Sequence, residues 1–286
     1  MPDFTTRVPA LSILSGLGTQ TGTDFLQELY GWVIENVQQE MISTRLKNQE
    51  LSGLASAGSL EAKRFVNAVS QTYGTARGKH MGEKVEAKPV VVRLDVDREI
   101  VEEIEQKDIM LYGVSGLLAR RAANHIQTIR RELERVFFQT GVDNGATIAT
   151  VAGENIEDLM ERMIQQLETT KNQFVDGVPR DMLHITASPK FYGQLRNYLD
   201  NGVNNAHILT NGENINRFHG VEIEPSVYLP AGTRALIQVR GSVAQPVLPR
   251  TYAAERIPLS EAWAVSLYYN YGTAVVTPDL IASLAE

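Results

Sequence analysis

The chain has 286 residues, 43% of them hydrophobic, which is enough material for one large domain or two modest ones. Its formal net charge is −7, whereas conventional nucleic-acid-binding proteins are basic, so sequence-specific binding to nucleic acid is not expected. The lack of cysteine excludes disulfides and thiolate metal sites, and no run approaches the ~18 apolar residues that a membrane span needs.

The first seventy residues are predicted to form an arm followed by two helices. Residues 1–22 are rich in Thr, Ser, Gly and Leu without a clear period, which indicates an extended arm. Thr23 is placed to cap a helix that ends near Leu46, and Ser59 is placed to cap a shorter one. The apolar face of the shorter helix would consist of Leu60, Phe65, Val66 and Val69.

Residues 71–98 change to the period of a β-strand. Apolar residues alternate with mostly charged ones from Val90 to Asp97, and Gly78 and Gly82 bracket a turn. We predict a polar hairpin with too few apolar residues to be stable alone, which therefore needs support from another surface. An acidic strap follows at 95–108, with seven acidic residues against two basic ones.

The longest predicted element is a helix within 108–141. Apolar residues recur at steps of three and four along it, and the firm part should run from Ser115 to Gln139, about 37 Å. Gly141 would end it. We expect its apolar stripe to pack on the strands of 250–280, and its opposite face to meet the acidic strap of this or a neighbouring subunit. That opposite face carries Arg120, Arg121, Arg130, Arg131 and Arg135.

The remaining sequence alternates helices and strands, so the predicted fold class is α+β. A helix should begin after Asn155, a strand should cover 182–187, and a second helix should begin at Pro189. An Asn- and Gly-rich loop at 201–220 is long enough to have a function of its own. Strands are predicted from Val221 onwards, and the last is a long one within 263–276.

No catalytic pattern stands out. The segment GTARGKH at 74–80 has three residues between its first glycine and Gly-Lys, where a phosphate loop has four, and it lacks the following hydroxyl. The five histidines stand apart, without the spacing of a metal site. We therefore predict no catalytic, metal-binding or cofactor-binding residues and no enzymatic activity.

The order of these elements resembles the major capsid protein of tailed double-stranded-DNA phages, the Hong Kong 97-type fold. Three pieces carry the resemblance, which covers nearly the whole chain: QTYGTARGKHMG before VVVRLDVD, the helix VSGLLARRAANHIQTIRRELERVFF, and the tail AWAVSLYYNYGTAVVTPDLIASL. It implies four parts. They are an N-terminal arm and helix (1–70), an extended loop (71–98), a peripheral domain with a spine helix (99–150 with 250–286), and an axial domain (151–249).

The same resemblance implies a function in the virion. Such proteins form the hexamers and pentamers of an icosahedral shell, assembled in the host cytoplasm, which encloses double-stranded DNA without sequence-specific binding. Portal and scaffolding proteins are expected partners, and whether a decoration protein also binds is left open. The residues expected at subunit contacts are Arg77, Lys79, Lys84, Arg120, Arg121, Arg130, Arg131, Asn204 and Asn205.

Two other functions stay open at this stage. An encapsulin-type nanocompartment shares the fold but encloses enzyme cargo, and the contents of purified particles would distinguish it. An unrelated enzyme could place its site in the 201–220 loop, and it would be an active monomer in solution.

Overall fold

A computed structural model describes residues 41–52, 58–70, 72–74, 84–105, 114–151, 153–201, 217–249, 253–260 and 262–286. The helices among them are α1 (Ile42–Leu46), α2 (Val114–Asn144), α3 (Ile156–Glu168) and α4 (Pro189–Asn201). The first seven strands are β1 (Ser59–Phe65), β2 (Ala87–Arg93), β3 (Val96–Ile104), β4 (Ala146–Ile148), β5 (Leu183–Ala187), β6 (Arg217–Phe218) and β7 (Val221–Pro225). The last seven are β8 (Thr233–Val239), β9 (Val243–Ala244), β10 (Val247–Pro249), β11 (Ala253–Arg256), β12 (Trp263–Tyr271), β13 (Ala274–Val275) and β14 (Ile281–Ala285).

The predicted long helix is present as α2, here called the spine helix. Its 31 residues span about 46 Å. It does not end at Gly141, as predicted, but continues to Asn144. Gly145 is the residue that allows the following turn, since a Cβ there would lie 2.9 Å from both the Gly141 carbonyl oxygen and Ile281.

A six-stranded sheet forms the largest layer, in the order β4-β14-β8-β5-β7-β6. Helices α3 and α4 cover one face over an apolar core. This core includes Met160, Met163, Ile164, Ile185, Phe191, Leu195, Val221 and Ile237. The predicted cap of α3 is confirmed, because the Asn155 side chain accepts the N–H of Asp158 at 2.8 Å.

The spine helix covers part of the other face of this sheet. Phe137 and Phe138 are fully buried with Leu236, Ile281 and Leu46, so the helix packs on β8, β14 and α1. The apolar stripe was predicted to pack on the strands of 250–280, but its buried phenylalanines pack mainly on β8 and β14. Within 250–280 the helix contacts β13, and its Glu132 side chain reaches β12. The C-terminal strand β14 thus shares a sheet with strands of 151–249, while the four-part division of the chain stays a prediction.

A four-stranded sheet carries the predicted long closing strand. Strand β12 pairs with β3 along all nine residues of β3, and with β10 and β11 on its other edge. The predicted acidic strap is therefore a β-strand from Val96 to Ile104. Its alternate residues Arg98, Ile100 and Glu102 are register partners of Tyr269, Leu267 and Val265.

The prediction of a helix after Ser59 is wrong. Residues 59–65 form strand β1, which pairs antiparallel with β2 from Ser59↔Arg93 to Phe65↔Ala87. The hairpin therefore begins twelve residues before the predicted start at 71. Of the predicted helix that ends near Leu46, the described part is α1; the rest of it, with residues 1–40, lies outside the described residues.

Candidate assembly surface

The hairpin β1–β2 presents two different faces. Leu60, Ala62 and Arg64 are partly buried and face inwards with their register partners on β2, of which Val92 is fully buried. The outward face carries Phe65, 57% exposed, and Val91, 45% exposed. Beyond the paired strands, three further apolar side chains are exposed: Val69, Tyr73 and Val85. The hairpin is thus less polar than predicted, and its exposed apolar area is what an interaction surface requires.

An ion pair fixes the loop end of the paired strands to the body, since Arg64 lies opposite Lys88, next to the last pair Phe65↔Ala87. The Arg64 guanidinium donates to both carboxylate oxygens of Asp279, at 2.5 and 2.8 Å, and lies 4.4 Å from the ring centre of Phe174. These hydrogen bonds from Arg64 are the main reason that the pKa of Asp279 falls to about 2, although burial opposes the change. The Asn67 N–H adds a bond to the Gln173 carbonyl at 2.9 Å. The loop end of the paired strands is therefore held while their outward face stays exposed.

A groove of about 620 Å³ lies where the hairpin meets the body. Val90, Val91 and Phe174 line it together with Val276, and Lys88 and Asp279 bring charges of both signs. Nearby, the chain passes so close to Gly272 that a Cβ there would lie 1.9 Å from the Arg93 carbonyl oxygen. The backbone crossing at the end of β2 therefore requires glycine.

Two carboxylates connect the spine helix to the four-stranded sheet. Glu102 of β3 accepts hydrogen bonds from Arg121 and lies 3.2 Å from Nε2 of His125, both on α2. Burial acts to raise the pKa of Glu102, but these partners outweigh it and the pKa falls. The prediction that the arginine face meets the acidic segment is thus confirmed for Arg121, within one subunit.

The second carboxylate is Glu132 of the spine helix. It accepts the hydroxyls of Tyr269 and Tyr271, at 2.7 and 2.8 Å, and pairs with Arg98 of β3. Burial acts to raise the pKa of Glu132, yet these three donors lower it, and burial with the nearby carboxylate raises the pKa of Tyr271 to about 12. Both clusters join the same helix to the same sheet, so they make the two elements one unit.

The residues predicted at subunit contacts do not come together in one place. Four of them lie outside the described residues, namely Arg77, Lys79, Asn204 and Asn205. Arg120 is a residue of α2. Lys84 is exposed beside the hairpin. Arg130 is half-buried beside the carboxyl of Glu134, whereas Arg131 is exposed and bonds to its own helix. Their role at an interface stays a prediction.

The sequence reasoning missed the residues that hold the hairpin. Arg64 was placed on a helix, and Asp279 was not singled out, because the two are 215 positions apart. A period-two signal was present in Leu60, Ala62 and Arg64, but it is too short to outweigh a helical reading of the same segment.

The described residues offer no metal centre, since no three His, Asp or Glu side chains among them are arranged to hold an ion. None of the described helices has both the length and the hydropathy that a membrane span requires.

Comparison with known proteins identifies the fold. No family model matches the sequence, and no curated protein does. Among solved structures, a chain of Mycobacterium phage Che8 matches with a TM-score of 0.66 at 16% identity, over 86% of this chain and 91% of that one. The capsid of the cyanophage P-SCSP1u matches at 0.64 and 15%, over 86% and 88%. A virus-like particle from Pyrococcus furiosus matches at 0.54 and 11%, over 91% and 99%. The predicted Hong Kong 97-like fold is thereby confirmed.

Proposed function

We propose that this chain is the major capsid protein of a tailed phage, a structural protein without enzymatic activity. It would assemble into the hexamers and pentamers of an icosahedral shell. One observation carries the proposal: in a chain with a capsid fold, Arg64 and Asp279 fix the paired strands of the hairpin to the body, while their outward face and the residues beyond them expose five large apolar side chains.

The hairpin needs a partner for a physical reason. A two-stranded sheet is at best marginally stable in water, so the hairpin depends on the surfaces that it contacts. The exposed Phe65, Val69, Tyr73, Val85 and Val91 would remain in water on a lone subunit. Covering them with a neighbouring copy would stabilise both the hairpin and the contact, at roughly 25 cal/mol for each Å² of apolar surface removed from water.

The expected contents and partners are those that the resemblance to phage capsid proteins implies. The shell would enclose double-stranded DNA, and a net charge of −7 disfavours tight binding of the chain to the DNA phosphates. Portal and scaffolding proteins, an optional decoration protein, assembly in the host cytoplasm and a final location in the virion are part of the same proposal. The described clusters join elements of one subunit, so the contacts with all these partners must involve other surfaces.

The second candidate is an encapsulin-type compartment, and the match to the Pyrococcus furiosus particle over 99% of that chain keeps it open. The higher TM-scores of the phage structures favour the viral function. The contents of purified particles distinguish the two: packaged DNA supports the viral function and an enzyme cargo supports the other.

Deleting residues 77–84 tests the role of the hairpin. The deletion lies beyond the paired strands, so the subunit should fold and remain soluble but form no stable shells. The control is the exposed single substitution Leu259→Ala, on a turn of a different sheet. Sedimentation and electron microscopy would report assembly, and shells of normal thermal stability from the deleted protein would contradict the proposal.

A further inference from the structure

Glu134 is a carboxyl group buried between the spine helix and α1. It is 1% exposed, and one of its oxygens accepts the backbone N–H of Ser43 at 3.3 Å. The N–H of Ile42 also bonds to this carboxyl. Its other oxygen, Oε2, has no hydrogen-bond partner among the described residues. A charged carboxylate in this position loses its hydration without full compensation, whereas a neutral carboxyl loses much less.

The charges on the elements around Glu134 only partly offset this cost. Lys47 of the same segment is buried, and burial alone lowers the pKa of its ammonium group. Arg130 on its own helix and Arg45 on α1 favour the charged form, but Arg45 is exposed and paired with Glu224. Glu224 of β7, which also lies 3.4 Å from Nε2 of His184 on β5, repels it. The sequences of β13 and β14, which also pack on the spine helix, contain no charged residue, and the arginine of β8 stacks on Phe191 of α4. Burial is the largest influence, and it raises the pKa of Glu134 to about 7.

The interface between α1 and the sheet, here called the seam, contains other buried polar atoms that lack hydrogen-bond partners among the described residues. Buried polar atoms without a partner among the described residues include Oγ of Ser43, Oγ1 of Thr44 and Thr186, Nδ1 of His184 and both amide atoms of Gln238. His184, Thr186 and Gln238 lie on the same face of the sheet as Leu236 and Ile281, towards the spine helix. The opposite face is an apolar core. The seam is therefore the interface of this sheet that should open most easily.

We propose that Glu134 is a protonation-controlled clip that holds the segment 41–52 against the spine helix. The neutral carboxyl keeps α1 seated, and loss of its proton leaves a buried, incompletely paired charge that favours release.

The direction of the pH dependence follows from the two states. When the segment is released and Glu134 is hydrated, its pKa returns towards the ordinary value of 4.5, below that in the seated state. The seated state therefore binds the extra proton, and its advantage is complete below pH 4.5 and is lost as the pH rises through about 7. Between pH 5.5 and 8.5 the equilibrium constant for release should rise about 30-fold.

Hydrogen exchange on the full-length protein tests this at two amides. The N–H of Lys47 bonds to the Ser43 carbonyl and that of Asn48 to the Val243 carbonyl, so both report whether the segment is seated. After correction for intrinsic exchange rates, their protection should fall about 30-fold from pH 5.5 to pH 8.5 in the wild type. The Glu134→Gln variant, which mimics the neutral form, should keep high protection at both values.

The matched control is Glu61→Gln, which changes an exposed carboxyl on β1 and should keep the wild-type pH dependence. Constant protection in the wild type would overturn the proposal, and this result needs no variant to fold. Equal pH dependence in Glu134→Gln and the wild type would overturn it as well, because the titrating group would then lie elsewhere.

Discussion

The ion pair between Arg64 and Asp279 should determine whether the hairpin stays docked on its own subunit. We consider the substitutions Asp279→Asn and Arg64→Met, which remove the charges but keep most of the side-chain volume. Lowering the pKa of Asp279 from 3.8 to about 2 corresponds to about 2 kcal/mol of preference for the charged, paired form. Both side chains are less than one-fifth exposed, so solvent screening reduces this value only in part.

The amide of Asn67 is the most direct reporter of docking, because it bonds to the Gln173 carbonyl on the body rather than to the partner strand. Loss of about 2 kcal/mol should reduce its exchange protection about 30-fold, while the amides of the six-stranded sheet stay unchanged. The wild type should show the same loss as the pH falls from about 4 towards 2, because an acid with a lowered pKa stabilises only while it is ionised.

The double variant distinguishes a true pair from two separate effects. If Arg64 and Asp279 act together, Arg64→Met combined with Asp279→Asn should cost little more than either change alone. Arg93→Met, an exposed change on the outward face of the same hairpin, is the control and should leave Asn67 protected. Additive losses, or unchanged protection of Asn67 in the single variants, would refute the reasoning.

Three further predictions concern the subunit and its assemblies. Leu133→Ala removes a fully buried side chain from the spine helix and should lower the free energy of unfolding in urea by about 2–5 kcal/mol. The control Leu259→Ala, on an exposed turn, should change it by less than ~0.5 kcal/mol. Equal effects would show that the helix faces the other way. Gly272→Ala should lower the melting temperature, because its Cβ would collide with the Arg93 backbone. The control Gly193→Ala, at a helical position with open space around the added Cβ, should be neutral or stabilising. A neutral Gly272→Ala would contradict the close crossing. We also expect no covalent cross-links between subunits, so denaturing gels of assembled particles should show one band near 31.7 kDa. A ladder of larger species would contradict this.

Elements with a strong local period could be predicted from the sequence. The spine helix and α3 have long apolar stripes, and α3 also has a capping asparagine with the predicted hydrogen bond. Strands β5 and β12 were likewise expected at nearly their observed positions. Periodicity predicts these elements because the residues on a buried face recur at regular steps along the sequence.

Elements defined by distant partners could not be predicted in this way. Strand β1 contains residues that also fit a helical face, and its strand state depends on pairing with β2 more than twenty positions later. The acidic residues of β3 concealed its alternation, although Ile100, Glu102 and Ile104 fit a strand, because its partner β12 lies about 160 positions away. Pairing across such distances overrides local propensity.

The candidate surface shows the same division. A hairpin with its second strand near Val90 was foreseeable, but its first strand and its fixation were not, since Arg64 and Asp279 carry no motif and meet only in the folded chain. The arginine face of the spine helix was visible as a stripe. That Arg121 is paired within its own subunit, and that Arg130 lies beside a buried carboxyl, depends on packing that no local pattern encodes.

Electron microscopy of the purified full-length protein, alone and with a candidate scaffolding protein, tests the central claim most directly. A capsid protein should form closed icosahedral shells in which hexamers and pentamers can be recognised, with the hairpin of each subunit resting on a neighbour. A protein that remains monomeric under both conditions, or forms closed shells in which the outward face of the hairpin touches no neighbouring copy, would contradict the account.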